Sequence, residues 1–353
     1  MTPVGADWEI TKRCNQTCTF CLNASGPDFM DSMNTYECLS VVDQLADFGV
    51  FHVVITGGEP FLRPDIVQIL EYAARKNLIW TVTSNGSALN GDTIRRLEPI
   101  KSHFRSVQIS LHGLSEEMCA LYGITAKQMR STKANIEALV NHGFTTTVIC
   151  LFNGANEEEV LATYEWCRTK GVFGFISSTI KSSGRAASIK GDFYSPEHKW
   201  VSLLRRLFAA QKKSSGPKIL ISEPPLFQEY ANKRLSMDLI KYSCPAGTET
   251  FMIKHDGEVY PCPFISPDCT NDETAIRFSG GNIRQRTLAD IFAARGFLEF
   301  KDNLHTARMI DGKVDGHCVS CGQFKKESCL PCQLGYSACH NMVRATTDVA
   351  RAP

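Results

Sequence analysis

The residues with the clearest chemical potential in this sequence are three cysteines close to its start. The stretch CNQTCTFC places Cys14, Cys18 and Cys21 within eight residues. Three thiolates at this spacing can bind one iron–sulfur cube, which ordinarily takes four cysteine ligands, and the missing ligand leaves one iron open to a substrate or cofactor. Two alternatives fit the same residues: a zinc site that borrows a distant histidine, or three cysteines that only pack.

A second motif, GGEP, runs from Gly57 through Gly58 and Glu59 to Pro60. Paired glycines let the backbone approach a ligand closely, and Glu59 adds an acceptor beside them. A Gly-Gly dipeptide on its own is weak evidence for a binding site. The combination of CxxxCxxC and GGEP, each directly after a predicted strand, is specific and weighs against both alternatives.

These motifs must be positioned by an α/β fold, because β-rich runs alternate with amphipathic helical patterns over the first half of the chain. Two of the helical patterns, YECLSVVDQLADFG and STKANIEALVNHG, end at a glycine as a helix C-cap does. Six such units predict a parallel sheet with right-handed crossovers, either open and doubly wound or a partial barrel. In a barrel, both motifs open onto the C-terminal face, where active sites are built. The predicted strands cover residues 8–12, 51–56, 78–84, 106–111, 145–151 and 173–179.

The pattern changes after a predicted helix, WVSLLRRLFAAQKK, and a break at residues 214–218. Short strands follow, among them ILIS and a hairpin, TFMIKHDGEVYP, and then cysteine-rich loops. We predict a core domain over residues 1–215, a linker over 216–240 and a small cysteine-rich domain over 241–353.

Composition limits the classes of function. Fifteen cysteines without a secretion signal favour metal ligation or redox chemistry over disulfides. A net charge of +1 gives no electrostatic case for nucleic acid or an anionic membrane, and no apolar run approaches the roughly 20 residues of a membrane span. We therefore predict a cytoplasmic protein with neither a nucleic acid nor a membrane as partner.

The two motifs together resemble those of radical S-adenosylmethionine (SAM) enzymes. The resemblance implies a partial (β/α)6 TIM barrel, in which Cys14, Cys18 and Cys21 hold a [4Fe–4S] cluster. The amino and carboxylate groups of SAM would then chelate its open iron. One electron cleaves SAM to methionine and a 5′-deoxyadenosyl radical, which abstracts hydrogen from the substrate. The resemblance also implies an electron donor such as a flavodoxin or ferredoxin.

The same resemblance implies SAM contacts. The GGEP backbone would bind the amino group of SAM, and Phe20 would lie against the adenine. Polar residues at predicted strand ends would touch SAM or substrate, although ordinary strand caps explain them equally well; they are Ser84, Asn85 and Ser110. Relatives often carry Arg-Gly after the fourth strand to hold the SAM carboxylate, whereas this chain has Tyr122-Gly123, with Arg130 as a weak substitute.

Eight further cysteines crowd the C-terminal part. The pairs Cys318–Cys321 and Cys329–Cys332 are separated by seven residues, whereas a zinc ribbon needs about 15–20, so iron–sulfur ligation is favoured. This tail resembles the SPASM extension, which binds two auxiliary [4Fe–4S] clusters and brings the implied total to three. Carried over by position, the second auxiliary cluster takes Cys318, Cys321, Cys329 and Cys339, and the first takes Cys244, Cys262 and Cys332. Either Cys269 completes the first set or that cluster has an open iron; a total of eight cysteines favours Cys269.

For the substrate, the resemblance is to the mycofactocin maturases and related peptide-modifying enzymes. It implies a ribosomal precursor peptide that is crosslinked, oxidatively decarboxylated or epimerised. Only seven residues precede the first predicted strand, so a leader-binding domain would be a separate protein. The alternatives are a small molecule such as a sugar, nucleoside or porphyrin, and a non-catalytic iron–sulfur electron carrier, which has no use for an open iron.

No residue stands out as an acid or base. His112 follows the fourth predicted strand and either meets substrate or hydrogen-bonds to backbone. Arg185 follows the sixth strand and either binds a substrate carboxylate or is solvated.

Overall fold

The computed structural model describes residues 3–181, 183–188, 197–213, 216–221, 245–269 and 272–306. Within these ranges, ten strands form a single sheet. They are β1 Gly5–Thr11, β2 His52–Gly57, β3 Ile79–Ser84, β4 Phe104–Ser110, β5 Thr146–Phe152, β6 Gly174–Thr179, β7 Lys218–Ile221, β8 Thr250–Ile253, β9 Glu258–Tyr260 and β10 Gly281–Asn282.

The strand order is β10-β9-β8-β1-β2-β3-β4-β5-β6-β7. Neighbours from β1 to β7 pair in parallel, as the predicted radical SAM fold requires. On the other side, β8 also pairs in parallel with β1, and β9 and β10 continue in antiparallel fashion. The fold is therefore a partial barrel whose first strand lies inside the sheet rather than at an edge.

Helices connect the parallel strands. They are α1 Thr35–Asp47, α2 Ile66–Arg75, α3 Gly91–Leu97, α4 Glu116–Leu121, α5 Ala126–Asn141, α6 Glu157–Thr169, α7 Glu197–Lys213, α8 Asp272–Phe278, α9 Leu288–Phe292 and α10 Arg295–Thr306. Short 3-10 turns lie at Pro60–Leu62, Glu98–His103, Gly184–Ser188 and Pro263–Ile265.

Side chains alternate across the strands according to the two-residue repeat of a pleated sheet. The helix-facing positions of β1 to β3 carry buried apolar residues such as Trp8, Val53 and Trp80. The opposite, inner face carries polar residues such as Glu9 and Thr81. The side of the sheet that faces the helices thus forms the main hydrophobic core, whereas the inner face carries the polar side chains.

The six predicted strands and the predicted hairpin are confirmed, the latter as β8 and β9. The glycines after two predicted helices also behave as expected, since Gly49 and Gly143 have φ of 85° and 74° and follow α1 and α5. Strand β7 lies within the range 216–240 and pairs with β6, so the sheet continues past residue 215. The domain limits themselves remain a prediction.

Candidate functional site

The three N-terminal cysteines lie on one loop, residues 14–26, which we call the cluster loop; it begins at the carboxyl end of β1. The loop folds back on itself, because the Cys14 N–H donates to the Gly26 carbonyl at 2.9 Å and the Cys21 N–H donates to the Cys18 carbonyl at 3.2 Å. The Gln16 N–H points at the Cys14 sulfur, 3.4 Å away. The loop therefore carries three cysteines, and at least one N–H donor for the Cys14 sulfur, close to the carboxyl end of β1.

The donor chemistry of this loop fits an iron–sulfur cluster. Burial raises the pKa of Cys14 to about 11 and that of Cys18 to about 12, and neighbouring thiols add to both shifts. Neutral thiols at such a site lose their protons when a metal binds, and N–H groups aimed at sulfur then stabilise the thiolate. Over the described ranges, no three His, Cys, Asp or Glu side chains already converge as a preformed metal site.

The paired glycines of GGEP allow β2 to press against the cluster loop. Gly57 has φ of 138°, a conformation that favours glycine. A Cβ added to Gly58 would lie 2.6 Å from the carbonyl carbon of Arg13. The Gly58 N–H donates to the Thr11 carbonyl at 2.7 Å, and the Glu59 N–H donates to the Arg13 carbonyl at 2.8 Å. The paired glycines were expected to let the backbone approach a ligand. In the structure they also let it approach the main chain of Thr11 and Arg13, just before Cys14.

Glu59 points into the protein, where it ties the end of β2 to the end of β3. Its fully buried carboxylate accepts from the Ser84 hydroxyl at 2.9 Å, the Asn85 N–H at 2.7 Å and the Phe61 N–H at 3.0 Å. Burial raises the pKa of Glu59 to about 7, and these donors oppose the rise. The Ser84 hydroxyl also accepts from the Gly86 N–H at 2.8 Å. Because both groups are engaged within the protein, their predicted ligand contacts gain no support from the geometry.

Asn85 reaches the cluster loop directly. Its side-chain N–H₂ lies 3.6 Å from the Cys14 sulfur and donates to the Asn15 side chain at 2.9 Å. Its carbonyl oxygen accepts from the Ser87 N–H at 2.8 Å, and its main-chain carbonyl accepts from Thr132 of α5 at 2.8 Å. The amide is therefore fixed beside a proposed cluster ligand.

Phe20, His112 and Tyr122 form an aromatic group next to the cluster loop. Phe20 makes edge contacts with His112 and Tyr122, with ring centroids 4.8 and 4.9 Å apart. The Leu151 N–H donates to His112 Nδ1 at 3.3 Å, and burial lowers the pKa of His112 to about 4. Of the two interpretations of His112, the geometry favours the histidine that is bonded to backbone. Tyr122, at the position where the resemblance implies an arginine, accepts from the Thr19 N–H of the cluster loop at 3.3 Å through its main-chain carbonyl.

Arg185 lies against the cluster loop. Its Nε donates to the Cys18 carbonyl at 2.8 Å and its Nη1 to the Ser25 carbonyl at 2.6 Å. Both earlier interpretations of Arg185, a ligand of substrate carboxylate and a solvated arginine, therefore give way to a contact within the protein. The sequence analysis did not predict this contact, because Arg185 and Cys18 are 167 residues apart in the chain.

Three other residues complete the predicted SAM contacts. Pro60 is buried and begins a 3-10 turn, and Ser110 is the half-buried last residue of β4, opposite Ile149 of β5. Arg130 pairs with Glu116 at 2.9 Å on the surface, with 64% of its side chain exposed. Arg130 is thus a poor substitute for an arginine at the SAM carboxylate.

Two of the predicted auxiliary-cluster ligands fall within the described residues. Cys262 follows β9 at the start of a 3-10 turn and is half-buried. Cys269 is also half-buried, and its sulfur lies 3.9 Å from the Leu22 carbonyl of the cluster loop. The other predicted ligands lie outside the described residues: Cys244, Cys318, Cys321, Cys329, Cys332 and Cys339.

A buried ion network was missed by the sequence analysis. Lys254, after β8, pairs with the fully buried Glu9 of β1 and with Asp268 at 2.8 Å, and Asp268 also pairs with Lys12 at 2.6 Å. The signal was present, because a charge inside a short apolar strand pattern such as WEITK or TFMIK needs a partner when it is buried. The network joins the first strand to the C-terminal region.

Comparison with known proteins identifies the class. A model of the radical SAM superfamily matches residues 8–167, and a model of the SPASM iron-sulfur cluster-binding domain matches residues 244–333. The chain therefore carries a radical SAM domain followed by a SPASM domain, and it is an enzyme. No helix in the described ranges has the length and apolarity to cross a membrane.

The individual relatives carry different names. The mycofactocin maturase MftC of Mycobacterium ulcerans is 27% identical over 93% of this chain and 82% of its own length. The AdoMet-dependent heme synthase of Methanosarcina barkeri is 23% identical over 92% of this chain and 90% of its own length. The crystal structure of Streptococcus suis SuiB bound to precursor peptide SuiA has a TM-score of 0.73 at 19% identity, covering 94% of this chain and 72% of SuiB. At that identity the structural match supports the fold alone.

Proposed function

We propose that this enzyme cleaves SAM reductively at a [4Fe–4S] cluster bound by Cys14, Cys18 and Cys21. We further propose that the resulting radical abstracts hydrogen from a ribosomally made precursor peptide. The observation that carries the first part is the cluster loop, which bears all three cysteines just after β1 and whose Cys14 sulfur faces two N–H donors, from Gln16 and Asn85. When bound, the cluster supplies the electron that cleaves SAM to methionine and a 5′-deoxyadenosyl radical.

The chain's own residues position and shield this chemistry. Gly57 and Gly58 bring the GGEP backbone beside the start of the cluster loop, where it can meet the amino group of SAM. Phe20 is half-buried and packs on the buried rings of His112 and Tyr122, so its own ring offers the apolar surface for the adenine. Asn85 directs an N–H toward the Cys14 sulfur, and this donor stabilises negative charge on a bound cluster.

The peptide substrate is supported by MftC, a maturase similar over 93% of the chain. The modification would be a crosslink, an oxidative decarboxylation or an epimerisation. A small-molecule substrate is the second candidate. It is favoured by the similarity to the AdoMet-dependent heme synthase, which extends over 92% of this chain.

The C-terminal domain is proposed to hold two auxiliary [4Fe–4S] clusters on the cysteines assigned above, with Cys269 completing the first set. Buried clusters of this kind can accept the electron that is left when a substrate radical is oxidised, and hydrogen bonds and exposure set their potentials. A flavodoxin or ferredoxin would supply the first electron.

Metal counting tests the cofactor part of the proposal. Iron, zinc and sulfide are measured after anaerobic reconstitution of the wild type and of the triple variant Cys14→Ala/Cys18→Ala/Cys21→Ala. Three cubes correspond to about twelve irons, and loss of one leaves about eight. About four irons together with zinc would contradict the auxiliary clusters.

The substrate is tested by adding SAM, reductant and either a candidate precursor peptide or a sugar, nucleoside or porphyrin. A peptide that raises 5′-deoxyadenosine release and returns with an altered mass supports the first candidate. Stimulation by a small molecule alone supports the second.

A further inference from the structure

We infer that Arg185, with Gly184 before it, is a positioning residue that clamps the cluster loop in the shape needed to bind its cluster. This inference rests on the proposed function, because it assigns a task to residues around the cysteines of that site. It concerns a segment after β6 that is distant in sequence from the cysteines.

Among the residues that the structure describes, three hydrogen bonds join Arg185 to the cluster loop. The Arg185 guanidinium donates to the carbonyls of Cys18 and Ser25 at 2.8 and 2.6 Å. The Arg185 main-chain N–H donates to the carbonyl of Cys21 at 3.0 Å. Two of the three acceptors therefore belong to proposed cluster ligands, and the third lies at the far end of the same loop.

Gly184 makes this contact sterically possible. A Cβ added at Gly184 would lie 2.6 Å from the carbonyl carbon of Leu22 and would overlap the carbonyl oxygens of Leu22 and Cys21. Gly184 also has a φ of 55°, a backbone conformation that residues other than glycine rarely adopt. A glycine is thus required for the main chain of this segment to lie directly on the cluster loop.

The C-terminal region holds the same turn from the other side. The Gly184 N–H donates to the main-chain carbonyl of Asp268 at 3.0 Å, and the side chain of Asp268 is fixed by Lys12 and Lys254. The clamp is therefore anchored on the ion network rather than on a free loop.

The chemistry of arginine suits this task. Its guanidinium is a rigid planar fork that can hold two carbonyls at once, whereas lysine presents a single point of charge. Hydrogen bonds from a charged donor are also stronger than neutral ones. Holding the Cys18 and Ser25 carbonyls together fixes the width of the loop, and with it the spacing of the thiols.

The test compares Arg185→Met and Arg185→Lys with the matched control Arg130→Met, whose arginine pairs on the surface instead. Each full-length protein is reconstituted anaerobically. The readouts are the rate of iron release to a chelator and the electron paramagnetic resonance spectrum of the reduced protein with and without SAM. The triple cysteine variant identifies which part of the signal belongs to the N-terminal cluster.

We expect Arg185→Met to release the N-terminal iron about tenfold faster or more, because two charged hydrogen bonds are lost, and to alter the SAM-dependent spectrum. Arg185→Lys should fall between it and the wild type, and Arg130→Met should match the wild type. If Arg185→Met does not fold, the lysine variant decides, since a wild-type release rate and spectrum there would refute the clamp.

Failure of the clamp and failure of the proposed function give different results. Wild-type iron release and spectra in both Arg185 variants, with a cluster still missing from the triple cysteine variant, would refute the clamp alone. A triple cysteine variant that keeps all of its iron and its SAM-dependent spectrum would refute the proposed function.

Discussion

Replacing Lys254 with methionine is expected to destabilise the protein strongly. The side chains of Lys254 and Glu9 are 5% and 0% exposed, so solvent screens their interaction little. The variant leaves the Glu9 carboxylate buried without its cation, while Asp268 keeps Lys12. Breaking one partner out of a buried pair costs about 3–5 kcal/mol, and we expect a loss of that size in the free energy of unfolding.

The assay is denaturant unfolding followed by tryptophan fluorescence, since the buried Trp8 adjoins Glu9 in β1. The double variant Lys254→Met/Glu9→Leu should recover most of the loss, because no buried charge is then left unpaired. The exposed pair Lys76–Asp43 provides the control, and Lys76→Met should have no measurable effect on stability.

The loss should also depend on pH. Burial raises the pKa of Glu9 from its ordinary 4.5 to about 7, and Lys254 opposes this rise, so Lys254→Met should raise it further. A carboxyl with a higher pKa in the folded state binds its proton more tightly when folded, so stability falls as pH rises through that range. The variant should be close to wild type near pH 5 and weakest at pH 8. A loss below about 1 kcal/mol, or a loss that does not change with pH, would refute the buried-pair account.

Three further predictions concern the surroundings of the cluster loop. Gly58→Ala should cost about 1–3 kcal/mol and most of the SAM cleavage, because the new methyl overlaps backbone, whereas Gly91→Ala, which meets only a flexible side chain at 3.4 Å, should be tolerated. Glu59→Gln should lower stability in denaturant by about 1.5–3 kcal/mol, because an amide group then faces a buried N–H donor. Asn85→Ala should lower the reduction potential of the N-terminal cluster in redox-poised spectra, because the lost N–H stabilises the more negative, reduced state beside Cys14.

Each of these expectations can fail separately. Equal behaviour of the two glycine variants would contradict the close approach of β2 to the cluster loop. A glutamine variant as stable as the wild type would mean that the carboxyl at residue 59 is protonated and already donates a hydrogen bond. If the reduction potential of the N-terminal cluster is unchanged in Asn85→Ala, the hydrogen bond assigned between Asn85 and the Cys14 sulfur is wrong.

The sequence predicted the elements of the fold well because their signals are local. Alternating apolar runs and capping glycines identified the parallel strands and helices, and the hairpin at β8 and β9 followed from its turn residues. The cysteine spacing and GGEP were also predicted to follow directly after strands, and in the structure they lie at the carboxyl ends of β1 and β2. All of these patterns are contained within a few consecutive residues.

Contacts between distant residues were not predictable in the same way. The sequence does not show that Glu59 turns into the protein to meet Ser84, or that Arg185 reaches Cys18 over 167 residues. The pair Lys254–Glu9 spans 245 residues. Such contacts depend on which strands become neighbours, and here β8 joins the sheet beside β1, which no local pattern specifies.

The most direct test of the central claim is release of 5′-deoxyadenosine and methionine from SAM by the anaerobically reconstituted, reduced protein. The wild type should release both products, and the folded triple variant Cys14→Ala/Cys18→Ala/Cys21→Ala should release neither while keeping its remaining iron. A wild type that carries its full iron and sulfide but leaves SAM intact would instead be an electron carrier. Equal release by the triple variant would show that the cluster loop is not the site of SAM cleavage.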